Sequence, residues 1–394
     1  MKKNIAILIP KLTNGGAERV ASNLSLYLSE DKYNKHVIVY DADKRDYPFE
    51  GELISLDSKS IVNPFGKIIN FIKRVYKLKK IKKEHNIHTT ISLLSGPNLV
   101  NIFAKRNDKV IVSVRNFVSK SSSGFYGRIF NLSIKLLYSK ADIIVAVSNT
   151  IRNDLVTNFG LNEKKIKVIY NPYDIQKIRE LAQEKIEEEY RDIFNNPTII
   201  TAGRLTKQKG HWHLLRAFKK INEEIPSTNL VILGQGELED YLKKLAIEMK
   251  IDKDVYFVGF KNNPFKYISR STVFVLTSLF EGFPNALCEA MATNIPVISA
   301  DCKSGPREIL APNKDITIES KGIEYEEYGI LLPTCDGKMY KFDDELTNQE
   351  ECLYKSIVTT ILNKDILNNY KIHSSKRVKD LSMKTIMKIW ENII

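Results

Sequence analysis

The stretch Thr272-Val-Phe-Val-Leu-Thr-Ser-Leu-Phe-Glu-Gly-Phe-Pro-Asn-Ala-Leu-Cys-Glu-Ala-Met291 decides the fold of this chain. Its apolar start reads as a buried parallel strand. Glu281-Gly282 turns the chain, and Pro284 suits the first position of a helix. The first amides of that helix, at Asn285, Ala286 and Leu287, lack an intrahelical acceptor, and with the helix dipole they favour an anion such as a phosphate. Glu281 and Glu289, with seven residues between them, bracket that site. Two acids beside an anion hole are costly unless they bind something else, and sugar hydroxyls would suit them. The plainer alternative is a helix start whose acids complement the dipole.

The same strand–glycine turn–helix grammar precedes this stretch twice over. Thr198-Ile-Ile-Thr-Ala-Gly203, a helix from about His211 to Glu224, Asn229-Leu-Val-Ile-Leu-Gly234, a helix from Leu238 to Met249 and Val255-Tyr-Phe-Val-Gly259 form one series. Asn4-Ile-Ala-Ile-Leu-Ile9, the Gly15-Gly16 loop, a helix from Ala17 to Leu28 and further strands at 36–40, 89–94, 109–114 and 141–148 form an earlier one. Each predicts an open parallel α/β sheet with ligands at the carboxyl ends of its strands. Two Rossmann-like domains in tandem follow, 1–175 and 176–377, with a terminal segment at 378–394. Ile178 to Phe194 reads as a charged helix, and Asp315 to Glu351 as an irregular acidic excursion. Gly15-Gly16 alone is also compatible with a simple tight turn. Asp41-Ala42-Asp43 fits a solvated loop better than a metal site, since no third ligand is near in sequence.

At 394 residues the chain exceeds one ordinary core. No apolar run approaches the roughly 18 residues of a membrane span. The short Ile5–Ile9 run after Lys2-Lys3 is too brief for a signal peptide and reads as the first strand. Cys288, Cys302, Cys335 and Cys352 show neither metal-ligand spacing nor disulfide density, which fits a reducing cytoplasm. The net charge of +13 is one-sided: residues 1–175 hold 29 Lys+Arg against 15 Asp+Glu, the rest 31 against 32. Such a surface suggests an anionic partner. Residues 64–84 concentrate it. Phe65, Ile68, Ile69, Ile72, Val75 and Tyr76 fall at helical spacing among Lys67, Lys73, Arg74, Lys77, Lys79, Lys80, Lys82 and Lys83. Either the apolar stripe packs on the sheet with its lysines solvated, or the basic face meets anionic head groups or a lipid diphosphate.

Gly203-Arg-Leu…Lys209-Gly, Val231-Ile-Leu-Gly-Gln-Gly236, Val258-Gly-Phe260 and Glu281-Gly-Phe-Pro-Asn…Glu289-Ala occur in one order. Arg204 and Lys209 could grip phosphate oxygens from a strand-to-helix turn. With these segments the chain resembles the retaining glycosyltransferases of family 4 (group 1), over nearly its whole length and most strongly from 198 to 310. The resemblance implies the GT-B fold: two facing Rossmann-like domains, an interdomain cleft and a C-terminal helix crossing back to the first domain. It implies that Arg204 and Lys209, with the amides of Asn285, Ala286 and Leu287, neutralise a donor diphosphate, and that Glu289 binds ribose hydroxyls. Glu281 would contact the transferred sugar, Gly203 and Phe283 would line the donor, and Gly259, Phe260 and Lys261 would hold the base. Gly15 and Gly16 would turn amides toward the diphosphate. A metal or other cofactor is not required in such a scheme. Many relatives carry a histidine after the strand that here reads Val112-Ser-Val-Arg-Asn116; this chain has Arg115 there, a candidate acceptor contact.

Ala300-Asp-Cys-Lys-Ser-Gly-Pro-Arg-Glu-Ile309 also resembles bacterial enzymes that extend polyprenyl-diphosphate-linked glycans. In that setting Lys73, Arg74, Lys77 and Lys80 would face the acceptor or membrane. The expectation is a cytoplasmic enzyme on the inner face of the cell membrane. It would use a nucleotide sugar, most simply a UDP-hexose or UDP-N-acetylhexosamine, for surface polysaccharide. A UDP-sugar epimerase of the same fold is the near rival. A basic nucleic-acid-binding module is the distant one, and the lysines lack the interleaved aromatics it would use.

Overall fold

The computed structural model describes residues 2–13, 15–43, 46–59, 63–117, 119, 132 and 134–394. They divide into two compact units, Met1–Pro172 with Met383–Ile394, and Tyr173–Ser382. The borders expected at 175 and 378 thus fall at 172 and 383.

In the N-terminal unit the order is β1 (Lys3–Ile9), α1 (Gly16–Tyr27), β2 (Tyr33–Val39), β3 (Glu52–Ser55), α2 (Pro64–Glu84), β4 (Thr89–Leu93), α3 (Ser95–Phe103), β5 (Lys109–Val114), β6 (Ile143–Ala146), α4 (Asn149–Thr157) and β7 (Ile166–Val168). The strands are parallel and ordered β3-β2-β1-β4-β5-β6-β7. A strand buried on both faces needs apolar residues at every position, and β1 supplies them. Ile5, Ile7 and Ile9 join the core under α1, while Ala6 and Leu8 join the one under α2 and α3. The helix expected between β5 and β6 lies largely outside the described residues.

The C-terminal unit runs α5 (Ile175–Ala182), β8 (Thr198–Ala202), α6 (His211–Glu224), β9 (Asn229–Leu233), α7 (Glu239–Glu248), β10 (Val255–Gly259), α8 (Phe265–Ile268), β11 (Val273–Leu276), α9 (Asn285–Ala292), β12 (Val297–Ala300), α10 (Pro306–Leu310), β13 (Glu324–Tyr325), β14 (Ile330–Leu332), α11 (Asn348–Leu362) and α12 (Lys364–Asp380). Its sheet is β10-β9-β8-β11-β12-β14-β13, antiparallel only at β13. After it α13 (Met383–Glu391) belongs to the N-terminal unit, where Met383, Ile386, Met387 and Trp390 pack into the α1 side of the core. Glu391 meets Lys32 at 2.6 Å there.

Three expectations need correction. The stretch 315–351 is not a plain excursion: Ile330, Leu331 and Leu332 are buried and extend the sheet beside β12. The charged run 178–194 is not one helix, since α5 stops at Ala182 and a 3-10 helix covers Glu188–Asn195. And α2, read either as packing its stripe on the sheet or as offering its basic face to an anion, does not bury that stripe. Asn63 caps it by accepting from the Phe65 amide, with Pro64 in the first turn. Phe71, Val75, Leu78 and Ile81 pack inward, while Phe65, Ile68, Ile69, Ile72 and Tyr76 stay 59–78% exposed.

Candidate active site at the second switch point

In an open α/β sheet, the crevice for ligands opens where neighbouring strands send their connections to opposite sides. In the C-terminal unit that point lies between β8 and β11, paired at Val273↔Ile199 and Phe274↔Ile200. The residues following those two strands are Gly203-Arg204 and Thr277 to Pro284. Topology alone therefore brings together the two segments that the sequence reading singled out.

Lys209 Nζ donates to Glu281 Oε1 at 2.6 Å, with side chains only 16% and 9% exposed. The loops carrying them are stitched by backbone and side-chain bonds. Thr277 Oγ1 donates to the Lys209 carbonyl (2.9 Å), the Leu279 amide to that of Gln208 (2.8 Å), and Gln208 Nε2 to that of Phe280 (2.9 Å). Gly210 sits at φ +61°, where a Cβ would lie 2.6 Å from the Thr277 carbonyl oxygen. Only glycine lets α6 start that close to β11. Gly234 is stricter still, at φ +135° with the Gly203 oxygen 1.9 Å from a would-be Cβ. The Glu281–Pro284 turn is braced from the β12 side: Ser304 Oγ donates to the Gly282 carbonyl at 2.6 Å, and the Glu281 amide to that of Lys303 at 3.3 Å. Arg204 is exposed at the mouth of this arrangement.

Pro284 is the N-cap rather than the first helical residue, so α9 opens at Asn285 with the amides of Asn285, Ala286 and Leu287 directed out of its first turn. Phe283 is buried, and the Asn285 side chain accepts from the Tyr173 hydroxyl at 2.8 Å. Glu289 is buried on α9. At the β10 end, Gly259 turns at φ +77° and Phe260 is 49% exposed, a flat apolar face open to a ring. Lys261 is directed elsewhere: its Nζ lies 3.6 Å from Glu187 and 4.9 Å from the Tyr190 ring centre. The Tyr267 hydroxyl, ahead of Lys266 and Lys261, holds the Glu187 carboxyl down at about 2. Lys261, expected with Gly259 and Phe260 to hold the base, is here engaged by Glu187 and Tyr190, while Phe260 stays open.

In the N-terminal unit the corresponding switch point falls between β1 and β4. Gly15 is the N-cap of α1 and Gly16 its first residue. Arg115 follows β5 and hydrogen-bonds Asn171 Oδ1. Of the α2 cations, Arg74 lies over the Tyr40 ring at 3.9 Å and donates to Ser58, and Lys77 donates to the Leu56 carbonyl at 2.6 Å. Both face inward. Lys73 and Lys80 remain exposed.

The two histidines flanking Trp212, which the sequence suggests are packing or surface residues, are both buried. His211, the first residue of α6, is buried and its Nδ1 has no partner; burial, then Lys209, pushes it down to about 3. His213 Nδ1 and Arg216 Nε converge on Glu350 Oε1 at 2.7 and 3.0 Å, all three side chains enclosed. Glu350 also closes a capping box with Thr347 at the start of α11. The Ser/Thr-x-x-Glu spacing could have announced the cap, but nothing local announces its partners more than 130 residues away.

Known proteins bear on this arrangement as follows. Residues 182–328 match the model of the glycosyl transferases group 1, and residues 14–177 that of glycosyltransferase family 4. An uncharacterized glycosyltransferase of Methanocaldococcus jannaschii is 35% identical over 87% of this chain and 88% of its own length. The N-acetylgalactosamine-N,N'-diacetylbacillosaminyl-diphospho-undecaprenol 4-alpha-N-acetylgalactosaminyltransferase of Campylobacter jejuni is 31% identical over 96% of this chain and 95% of its own. Among solved structures, Anabaena HepE in complex with UDP and glucose superposes with a TM-score of 0.74 at 16% identity, covering 99% and 98% of the two chains. That likeness places the fold among the two-domain GT-B proteins.

Proposed function

This chain belongs to the group 1, family 4 glycosyltransferases, and from that premise we propose that it moves a hexose or N-acetylhexosamine from a UDP sugar to a lipid-linked glycan, with retention and without a metal. The observation that carries the reading is the Lys209–Glu281 pair, 2.6 Å apart at the β8/β11 switch point. A buried ammonium held by one carboxylate is already positioned, so an arriving diphosphate meets it without reorganisation. Arg204 and the first amides of α9 add donors around the same anion. As the sugar–phosphate bond ionises, charge grows on the leaving phosphate, and these groups stabilise it. Glu281, pinned by Lys209, would turn its second oxygen to the sugar hydroxyls, and Glu289 would take the ribose. Phe260 would stack on the base. On a front-face route the leaving phosphate would assist deprotonation of the acceptor.

UDP as the nucleotide is supported by the complex of the Anabaena protein of the same fold. A polyprenyl-diphosphate-linked acceptor is supported by the Campylobacter relative's own acceptor. The exposed apolar stripe of α2 supports a site at the membrane surface. At about 100° per residue, Lys73 and Lys80 flank one edge of the stripe of Phe65, Ile68, Ile69, Ile72 and Tyr76, and Lys79 and Lys83 continue its line toward the end of the helix. Apolar residues rimmed by cations fit an anionic leaflet, with the stripe in the acyl boundary and the lysines at the head groups. Among the described residues no helix is long and apolar enough to cross the bilayer.

The test is a donor screen with purified protein, measuring UDP release with and without polyprenyl-diphosphate-linked acceptors. Acceptor-dependent release that falls in Glu281→Ala is the expected result. Release of UDP with an altered free sugar and no acceptor requirement would instead identify an epimerase. Unaltered transfer by Glu281→Ala and Lys209→Ala would remove the site from this switch point.

A further inference from the structure

Three of the six histidines gather in the N-terminal unit, around the start of β4 and the strands beside it: His36, His85 and His88. His36 of β2 stands in register with Glu52 of the edge strand β3, and His85 ends α2 as its C-cap. His36 Nδ1 lies 2.9 Å and His85 Nδ1 3.3 Å from the same oxygen, Glu52 Oε2, with ring centres 4.9 Å apart at 67°. Among the described residues this is the only such grouping whose ligand atoms all lie within 4.8 Å of one another. Helices in this unit run back along the sheet, so the C-terminus of α2 lies by the strand starts, away from the Gly15-Gly16 switch point.

Two imidazoles and one carboxylate are a zinc donor set. Ligands on a tetrahedral zinc with bonds near 2.0–2.1 Å stand about 3.3 Å apart. The two nitrogen-to-carboxylate spacings, 2.9 and 3.3 Å, are close to that value, and all three ligand atoms lie within 4.8 Å of one another. His36 is 9% exposed and meets Glu52 through Nδ1. Glu52 is exposed and His85 half-buried, which leaves an entry path and room for a water as fourth ligand. The Asn4 side chain donates to the His85 carbonyl at 2.7 Å and steadies the loop that presents the ring.

We propose that His36, Glu52 and His85 bind one zinc-class divalent ion that ties β2, the edge strand β3 and the end of α2 together. The site is independent of the donor-binding reading above. It would fix the C-terminal end of the very helix that exposes its apolar face.

Full-length, tag-free protein is stripped with chelator and titrated with zinc chloride by calorimetry, and its melting temperature is followed in parallel. One ion per chain and a rise in melting temperature are expected. Glu52→Gln and His85→Asn, both at accessible positions, should each weaken binding by at least about tenfold, the loss that even an outer-shell partner causes. His373→Asn, on α12, should leave it unchanged. Magnesium should neither bind stoichiometrically nor raise the melting temperature, since it prefers an all-oxygen octahedron. No stoichiometric binding at micromolar zinc, or binding indifferent to both Glu52→Gln and His85→Asn, would overturn the proposal and leave a hydrogen-bonded His–Glu–His trio.

Discussion

The two units wind the first five strands of their sheets in the same order yet place their charge in opposite ways. In the C-terminal unit ionic side chains are drawn inward around the switch point and paired: Lys209 with Glu281, Arg307 with Asp301 and Glu324, Arg216 and His213 with Glu350. Arg307 illustrates the cost. Burial opposes its charge, but the hydrogen bonds it donates to Asp301 and Glu324 more than offset that and raise it above the usual guanidinium value. In the N-terminal unit glycines stand at the switch point, and the excess cations lie on α2 and its surroundings. Among its described residues the one deeply enclosed pair, Lys82 with Asp108 at 2.7 Å, sits beneath α2 and not at a strand end. The same architecture thus carries a fixed, neutralised polar site in one half and a charged, partly apolar outer surface in the other.

The largest effect should come from breaking the exception. Lys82 and Asp108 are both 1% exposed, and Lys82 also donates to Asn101 Oδ1 at 2.8 Å. Lys82→Met leaves Asp108 buried without its counter-charge, a loss of about 3–5 kcal/mol. Each unit holds one of the chain's two tryptophans, Trp390 and Trp212. In a Trp212→Phe background, urea unfolding followed by Trp390 fluorescence reports the N-terminal unit directly. The pH dependence sharpens the assignment. Burial pushes Lys82 down to about 8 from 10.5, against the pull of Asp108. Between those values the unfolded chain binds more protons, so this lysine's contribution rises with pH across the window. Lys82→Met should lack that rise; an unchanged profile would mean Lys82 does not titrate there.

Next comes the paired ammonium of the other half. Lys209→Ala should lower kcat by about 10²–10³-fold, the range for loss of one preorganised donor at a developing oxyanion. The melting temperature should fall as well, because Glu281, 8% exposed, is left without its counter-charge. A fall in stability with kcat intact would make the pair structural and erase the contrast between the units.

How much of this was legible follows the range of each interaction. Strand and helix positions in both units come from local periodicity, and α6 runs over the very residues expected, His211–Glu224. Glu281, Asn285 and Glu289 share one short stretch, so their common turn could be read directly. The Lys209–Glu281 contact spans 72 residues, and only the order of β8 and β11 in the sheet brings it about. Lys261 shows the converse: its position after β10 was clear, but Glu187 and Tyr190, far upstream, decide where its ammonium points. The case of α2 is of another kind. That helix has two apolar faces, 65-68-69-72-76 and 71-75-78-81, and periodicity cannot say which one the sheet will take.

The smallest predicted effect discriminates most finely, because it asks whether the exposed face of α2 is a membrane surface or only an unpartnered one. Ile72 is 61% exposed in the centre of the stripe, and burying such a side chain in the acyl boundary is worth about 1.5–3 kcal/mol. Ile72→Asp should therefore weaken partitioning onto anionic vesicles by tenfold or more, on the order implied by that energy. Lys80→Glu should cost less, about 1 kcal/mol for each lysine charge lost near the surface, and should act only when the vesicles carry anionic lipid. Arg74 is the internal control. Its guanidinium is engaged by Tyr40 and Ser58, so Arg74→Lys should change stability more than vesicle binding. If all three variants bind vesicles as the parent does, the lipid bilayer is not what this face meets. The N-terminal unit's charge would then act on the acceptor's diphosphate alone, a reading that vesicles doped with polyprenyl diphosphate would separate from plain anionic lipid.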